Sequence, residues 1–339
     1  MDFLLDYAGF LLRAITVLAV LLVVLITLAA LKGRQQSKEG ELEVRSINQR
    51  LEGILEGMQA AVLDKAALKK QARQRKQQEK QDKKNPVSKP RVFVLDFNGD
   101  IRASATESLR HEVTAVLSLA SKDDEVVVRL ESGGGMVHSY GLAASQLARI
   151  RDAQIPLTIC VDKVAASGGY MMACIGNKIL SAPFAVLGSI GVVAQMPNIH
   201  RLLKKNDIDV EVLTAGEYKR TLTFLGENTE QGKNKFLEDL QTTHELFKGF
   251  VARYRSQLDM SSVATGEVWL GTDALAKQLV DEICTSDQYL VQRAQEAKVF
   301  QVSYTFKKNL QERIGLAAAS AAESTAARLW QRLQQGFWH

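Results

Sequence analysis

The chain has 339 residues, enough for one large domain or two ordinary ones, and its 46% hydrophobic content fits a globular protein with a membrane segment. A formal net charge of +5 suggests nucleic acid at first sight, but the basic residues concentrate between Lys65 and Arg91, so the charge belongs to a linker and no nucleic-acid partner is expected. The 3 cysteines, Cys160, Cys174 and Cys284, lie in or beside apolar runs with no metal-ligand spacing; they read as buried small hydrophobes, and neither a metal nor a cofactor is expected.

Taken in order, the chain opens on an apolar stretch. Ala14 to Leu31 is interrupted only by Thr16 and Thr27, and with Ala8 to Leu12 it is long enough to cross a bilayer as a helix. The acidic start (Asp2, Asp6), the length of the run and the lack of a cleavage pattern argue against a removable signal peptide. An uncleaved, single-pass anchor over residues 1–36 is expected, in contact with membrane lipid. Arg13 stands before it, and Lys32, Arg34, Lys38 and Arg45 follow it. Flanking charge therefore puts the large C-terminal part in the cytoplasm, with a periplasmic placement as the alternative.

Residues 37–90 read as a charged helical linker. From Glu41 to Lys84 the chain is rich in Glu, Lys, Gln and Arg, while Leu51, Ile54, Leu55, Met58, Val62 and Leu68 recur at roughly helical spacing. Asn85-Pro-Val-Ser-Lys-Pro90 closes the segment. A globular domain is expected over 91–305. Val92–Phe97, Glu125–Leu130, Pro156–Val161, Lys178–Ser181 and Asp209–Leu213 read as strands. Ser104–Ser121, Ser139–Ile150, Gly168–Ile175 and Glu230–Leu258 read as helices. Strands alternating with helices predict an α/β fold with a mainly parallel sheet. The apolar run Ile179 to Ala194 holds Pro183, two glycines and two serines, and reads as buried core. The tail, 306–339, is Ala-rich and helical, with Trp330, Leu333 and Phe337 on one stripe.

The chemistry centres on Val161-Asp-Lys-Val-Ala-Ala-Ser-Gly-Gly-Tyr-Met-Met-Ala173. Ser167 stands where a buried strand gives way to a helix, and free N–H groups with the positive dipole end favour an anion there. Serine is also a common helix N-cap, so this stretch alone leaves both readings open. A nucleophilic serine needs a base. The 5 histidines (His111, His138, His200, His244, His339) show no recognisable triad arrangement, and each reads by default as a surface residue. A lysine that is buried or set beside another cation can serve instead, and Lys163 and Lys219 are the candidates. Ser132-Gly-Gly-Gly135, after a buried strand, can present backbone N–H groups to an oxyanion, although a tight turn explains the glycines equally well.

Four stretches together resemble the signal peptide peptidase A family of serine proteases, peptidase family S49. They are Arg129-Leu-Glu-Ser-Gly-Gly-Gly135, Val164-Ala-Ala-Ser-Gly-Gly-Tyr170, Leu187-Gly-Ser-Ile-Gly-Val192 and Gly216-Glu-Tyr-Lys219, with Gly266 to Ile283 matching a C-terminal turn-and-helix region. The anchored, charged extension resembles an inner-membrane branch of that family. The resemblance implies a ClpP/crotonase-like fold over 91–305 and a Ser-Lys dyad. Ser167 would be the nucleophile, Lys219 the general base and Ser189 the residue that orients the lysine. Gly168, Gly134 and Gly135 would supply oxyanion donors. Glu131 and Gly133 stand where the family's Asn-Ser-Pro-Gly-Gly turn has Asn and Pro, and Lys163 falls at a surface position. The resemblance further implies unfolded or membrane-derived peptides as substrates, an apolar pocket for which Met171, Met172 and Val192 are candidates, and a homo-oligomeric ring or dome in the bacterial inner membrane. Two other classes stay open: a non-catalytic oligomeric scaffold, and an acyl-CoA enzyme sharing the fold.

Overall fold

The alternation in Val92-Phe-Val-Leu-Asp-Phe97 divides the sheet into two faces. Val92 and Val94 turn to one side and Phe93, Leu95 and Phe97 to the other, and all five are buried. Val126, Val128 and Leu130 oppose Val127 in the same way, as Leu157, Ile159 and Val161 oppose Cys160. Strands buried on both faces are the mark of a parallel sheet covered by helices on each side.

The computed structural model describes residues 40–70, 72–73, 77 and 89–306. These fall almost wholly in one compact unit, Leu42–Tyr304. The expected anchor at 1–36 and the apolar stripe of the tail lie outside the described residues. Among the described residues, no helix is long and apolar enough to cross a membrane.

Strand β1 (Gly40–Ser46) leads into α1 (Ile47–Val62). Next come β2 (Arg91–Gly99), α2 (Thr106–Leu117), β3 (Glu125–Ser132), α3 (Val137–Asp152), β4 (Leu157–Val161), β5 (Val164–Ala166) and α4 (Gly168–Ala173). β6 (Lys178–Ser181), β7 (Val186–Gly188), α5 (His200–Lys205) and the long α6 (Glu230–Tyr254) follow. α7 (Met260–Val263), β8 (Val268–Leu270), α8 (Gly271–Ala276), β9 (Glu282–Ile283), α9 (Ser286–Glu296) and β10 (Lys298–Phe306) complete the described fold. The main sheet runs β1-β10-β2-β3-β4-β6-β9, and every pairing from β10 to β9 is parallel. At Ser132 the sheet forks. β3 also pairs with β5 through Ser132 and Ala165, β5 pairs with β7, and β8 closes this branch antiparallel to β7. The fork sets the carboxyl ends of β3, β5 and β7 side by side through the Ser132–Ala165 and Ala166–Gly188 pairs.

Helices α2, α3, α4 and α6 cover the Phe93 face through Leu109, Leu147, Met172 and Phe247 among others. Helices α1 and α9 cover the other through Ile47 and Leu290. Glu125 projects into that second face, where Thr158 Oγ1 (2.7 Å), Tyr289 Oη (2.5 Å) and Arg293 Nε (2.9 Å) all donate to its carboxylate. Arg255, 3% exposed, donates to both oxygens of Asp281 at 2.9 Å and to the Gln278 carbonyl at 2.7 Å. Asp281 in turn accepts the Ile179 N–H at 2.7 Å, which ties the end of α6 to strand β6.

Two sequence expectations change here. Asp209–Leu213 forms no strand: its backbone is irregular, and Val212 and Leu213 are exposed. Its Val-Glu-Val alternation finds no sheet edge to pair with. The stretch read as a spacer begins instead with β1 on the sheet, and Asn48 fastens it. The Asn48 side chain donates to the carbonyls of Ala294 (2.9 Å) and Ala297 (3.1 Å) and accepts the Val299 N–H at 2.7 Å. Only Ile47 of α1 is buried, while Ile54, Leu55, Met58 and Val62 are exposed. The run Ile179 to Ala194 contains β6 and β7, with Ile179, Leu180, Leu187 and Ile190 all buried.

Glu112 on α2 accepts the Tyr304 N–H at 2.8 Å through Oε1, and its other oxygen has no partner among the described residues. Burial pushes this carboxyl up to about 7. Between its ordinary value and about 7 the folded protein holds a proton that the unfolded chain releases, so this group's contribution to stability falls as pH rises through that window. Urea unfolding should give wild type and Glu112→Gln similar midpoints near pH 5, and a clearly higher midpoint for Glu112→Gln at pH 8. Equal pH dependence in the two proteins would contradict the assignment.

Candidate active site

Strand β5 ends at Ala166 and α4 begins at Gly168, so Ser167 is the whole of the joint between them. Its backbone lies at φ 51° and ψ −119°, a region that L residues avoid and that a sharp strand-to-helix turn imposes. Its N–H donates to the Gly188 carbonyl at 2.8 Å, and its carbonyl accepts the Met171 N–H at 2.9 Å. The hydroxyl makes no capping bond to the helix. The N-cap reading of Ser167 is therefore not realised. The side chain is half-buried at the wall of a cavity of about 470 Å³.

Glycines make the crowding around Ser167 possible. A Cβ on Gly168 would come within 2.4 Å of the Tyr140 ring, and one on Gly134 within 2.7 Å of the Gly168 nitrogen and 2.8 Å of the Ser167 Cβ. Gly134 also sits at φ +88°. One on Gly135 would lie 2.1 Å from the Ile101 carbonyl oxygen. The Gly134 N–H is committed to Ser132 Oγ at 3.1 Å. Of the expected oxyanion donors, Gly135 and Gly168 line the cavity. Gly168 is the first residue of α4, where the N–H has no intrahelical acceptor.

Ser189 follows the last residue of β7, one step past the Ala166–Gly188 pair, and so lies alongside Ser167 across the fork. It too has φ 51°, and its N–H is anchored to the Glu267 carbonyl at 2.6 Å. Lys219 lies in the irregular stretch between α5 and α6. It is exposed, its N–H donates to the Gly216 carbonyl at 3.2 Å, and it is not among the residues lining the Ser167 cavity. The structure thus gathers Ser167, Gly168, Gly134, Gly135 and Ser189, while Lys219 is exposed and does not line the cavity. Lys163 is exposed and pairs with Glu131 at 3.0 Å through both carboxylate oxygens.

The rest of the cavity is apolar: Val137, Met171, Val192, Val193, Leu246, Phe247 and Phe250. Its two hydroxyl residues are turned back on their own helices, Ser145 Oγ to the Gly141 carbonyl and Thr243 Oγ1 to the Asp239 carbonyl. Met171 and Val192 line it as expected. Met172 does not: it is fully buried in the core beneath α4.

Two family models match the chain in sequence. Peptidase family S49 N-terminal covers residues 2–147, and Peptidase family S49 covers residues 149–300. The chain belongs to peptidase family S49. It is 47% identical over 333 residues to the probable protease SohB of Haemophilus influenzae, an alignment spanning 95% of this chain and 94% of the relative. It is 45% identical over 305 residues to the probable protease SohB of Buchnera aphidicola subsp. Schlechtendalia chinensis, spanning 86% of this chain and all of the relative. A more distant relative, the chloroplastic serine protease SPPA of Arabidopsis thaliana, is 28% identical over 203 residues, 59% of this chain and 28% of that one.

Sequence reading missed helix α6 as a wall of the site. Thr243, Leu246, Phe247 and Phe250 enter the cavity from a helix more than sixty positions downstream of Ser167. It also missed His244, whose Nε2 lies 3.2 Å from the Ile190 carbonyl, between Ser189 and Gly191. A carbonyl only accepts, so Nε2 carries the hydrogen there, and this nitrogen is not a free base. No local pattern marks a histidine that meets a strand end this far away in sequence.

Gly134→Ala should keep the fold but reduce peptide hydrolysis by roughly 100-fold or more, because its methyl must displace the Gly168 amide. Steady-state hydrolysis by the purified variant checks this, and near-normal turnover would contradict it.

Proposed function

We propose that this chain is a membrane-anchored serine endopeptidase acting through a Ser167–Lys219 dyad. The observation that carries the reading is Ser167 itself: a strained residue at a strand–helix joint, its hydroxyl unused by the helix, facing an apolar cavity. Family membership and the forked sheet support a ClpP/crotonase-like fold.

In the proposed reaction, neutral Lys219 Nζ takes the Ser167 hydroxyl proton as Oγ attacks the peptide carbonyl carbon. The Gly168 and Gly135 N–H groups receive the oxyanion. The tetrahedral adduct collapses, the C–N bond breaks, and the leaving amine takes the proton from Lys219. Water then enters by the same route and hydrolyses the acyl-enzyme. Ser189 orients the lysine. The apolar walls select peptides with large apolar side chains, which fits unfolded or membrane-derived substrates. An inner-membrane location, with the catalytic domain in the cytoplasm by flanking charge, rests on the apolar stretch Ala8 to Leu31.

A lysine serves as a general base only when burial or a neighbouring cation disfavours its charge, so the proposed role requires Lys219 to be covered. Val212, Leu213, Tyr218, Phe224 and Leu225 in the same stretch are all exposed. An apolar surface of this kind around a charged residue fits burial by substrate or by a second copy in a homo-oligomer. The exposure of Lys219 outside the cavity lining also favours a second reading, an oligomeric scaffold without catalysis.

A fluorophosphonate probe and hydrolysis of an apolar, signal-like peptide separate the two. The expected result is labelling of wild type, none of Ser167→Ala, and a loss of roughly 1000-fold in kcat/KM for Lys219→Ala. Labelling that survives in Ser167→Ala removes the nucleophile assignment. A wild-type protein that neither labels nor hydrolyses peptide moves the reading to the scaffold.

A further inference from the structure

Outside the dyad, one buried polar chain reaches the site. Tyr140, fully buried on α3, donates its phenol hydrogen to the Asp100 carbonyl at 2.7 Å. Its oxygen lies 2.5 Å from Ser132 Oγ. Since the only phenol hydrogen is spent on Asp100, the Ser132 hydroxyl must be the donor to Tyr140. Ser132 Oγ in turn accepts the Gly134 N–H at 3.1 Å. The hydrogens therefore all point one way: Gly134 N–H to Ser132, Ser132 O–H to Tyr140, Tyr140 O–H to Asp100. Bonds aligned head to tail polarise and stiffen one another in a dry interior. Burial keeps the phenol in its protonated, donating form.

Two members of this chain pack against the reacting groups. Gly134 is packed against the Gly168 nitrogen and the Ser167 Cβ, and the Tyr140 ring against Gly168. The loop that holds Asp100 also accepts the Met136 N–H through the Ile101 carbonyl at 2.9 Å, so both sides of the glycine turn are tied to it. We propose that Tyr140 and Ser132 are positioning residues that hold the Gly134–Gly135 turn and Gly168 at the spacing an oxyanion requires. The inference rests on the serine-peptidase reading of the same site.

Tyr140→Phe is the direct test, because it keeps the ring against Gly168 and removes the hydroxyl. In the full-length protein kcat should fall by about 10- to 100-fold with KM within about twofold, since the turn acts on the transition state and not on the side-chain pocket. Affinity for a peptide boronate, which forms a tetrahedral adduct on the serine, should weaken by the same factor as kcat/KM. Ser132→Ala should match it, and the double variant should be little worse than either single one, because both break one chain. Fluorophosphonate titration counts competent sites and separates misplacement from misfolding. A full complement of labelled sites with low kcat supports the proposal. Fewer sites at wild-type turnover per site, unchanged kcat, or additive losses in the double variant would each overturn it. If wild type labels and turns over but Tyr140→Phe is unaffected, only this inference falls. A wild type that never labels removes the peptidase reading with it.

Discussion

Everything at the candidate site depends on one steric constraint: the backbone at Ser167 occupies φ 51° and ψ −119°, and its neighbours must leave room for it. Gly134, Gly168 and Gly169 sit where a Cβ would come within 2.4–2.8 Å of a neighbouring atom. The close approach of β3, β5 and α4 is therefore written into glycines. In return, a serine hydroxyl is lifted off its helix, beside the N–H groups of the first turn. An ordinary N-cap serine would spend that hydroxyl on the helix.

The fork of the sheet at Ser132 supplies the second requirement. A single flat parallel sheet would place the carboxyl ends of β3, β5 and β7 in a row. Branching at the Ser132–Ala165 pair brings the glycine turn beside Ser167, and the Ala166–Gly188 pair sets Ser189 alongside it. The cavity wall then comes from α6, which is held to the sheet by Phe247 and Val251 in the core and by the Arg255–Asp281 pair at its end. The stretch between α5 and α6, which holds Lys219, is fixed by few such contacts and leaves several apolar side chains in water. The proposed nucleophile and its proposed base thus lie in parts of the chain with very different degrees of packing.

Much of the site was legible locally. Ser167 and the glycines around it are identified by residue type and by position at strand ends, and at Gly134, Gly135 and Gly168 a side chain would collide with neighbouring atoms. The assignment of Lys163 to the surface matches its ion pair with Glu131. The misplaced elements share a cause. Asp209–Leu213 alternates like a strand, yet a strand needs a partner edge, which no local pattern can supply. The stretch beginning at Gly40 is polar and exposed, yet Asn48 makes three bonds to residues some 250 positions away and β1 joins the sheet. Met172 and Met171 are adjacent and alike in chemistry, and only the direction of α4 sends one to the core and the other to the cavity.

By itself the sequence determined the alternation that makes a two-faced parallel sheet, the strand–Ser–helix joint and the glycines that crowd it, because each follows from the size and backbone freedom of single residues and their immediate neighbours. Only the tertiary structure decided that the sheet forks at Ser132, that α6 walls the cavity, that Tyr140 and Ser132 form one directed hydrogen-bond chain into the glycine turn, and that Lys219 is exposed. Those features arise from contacts between residues far apart in the chain, whose geometry is set by how the layers pack and not by any local preference.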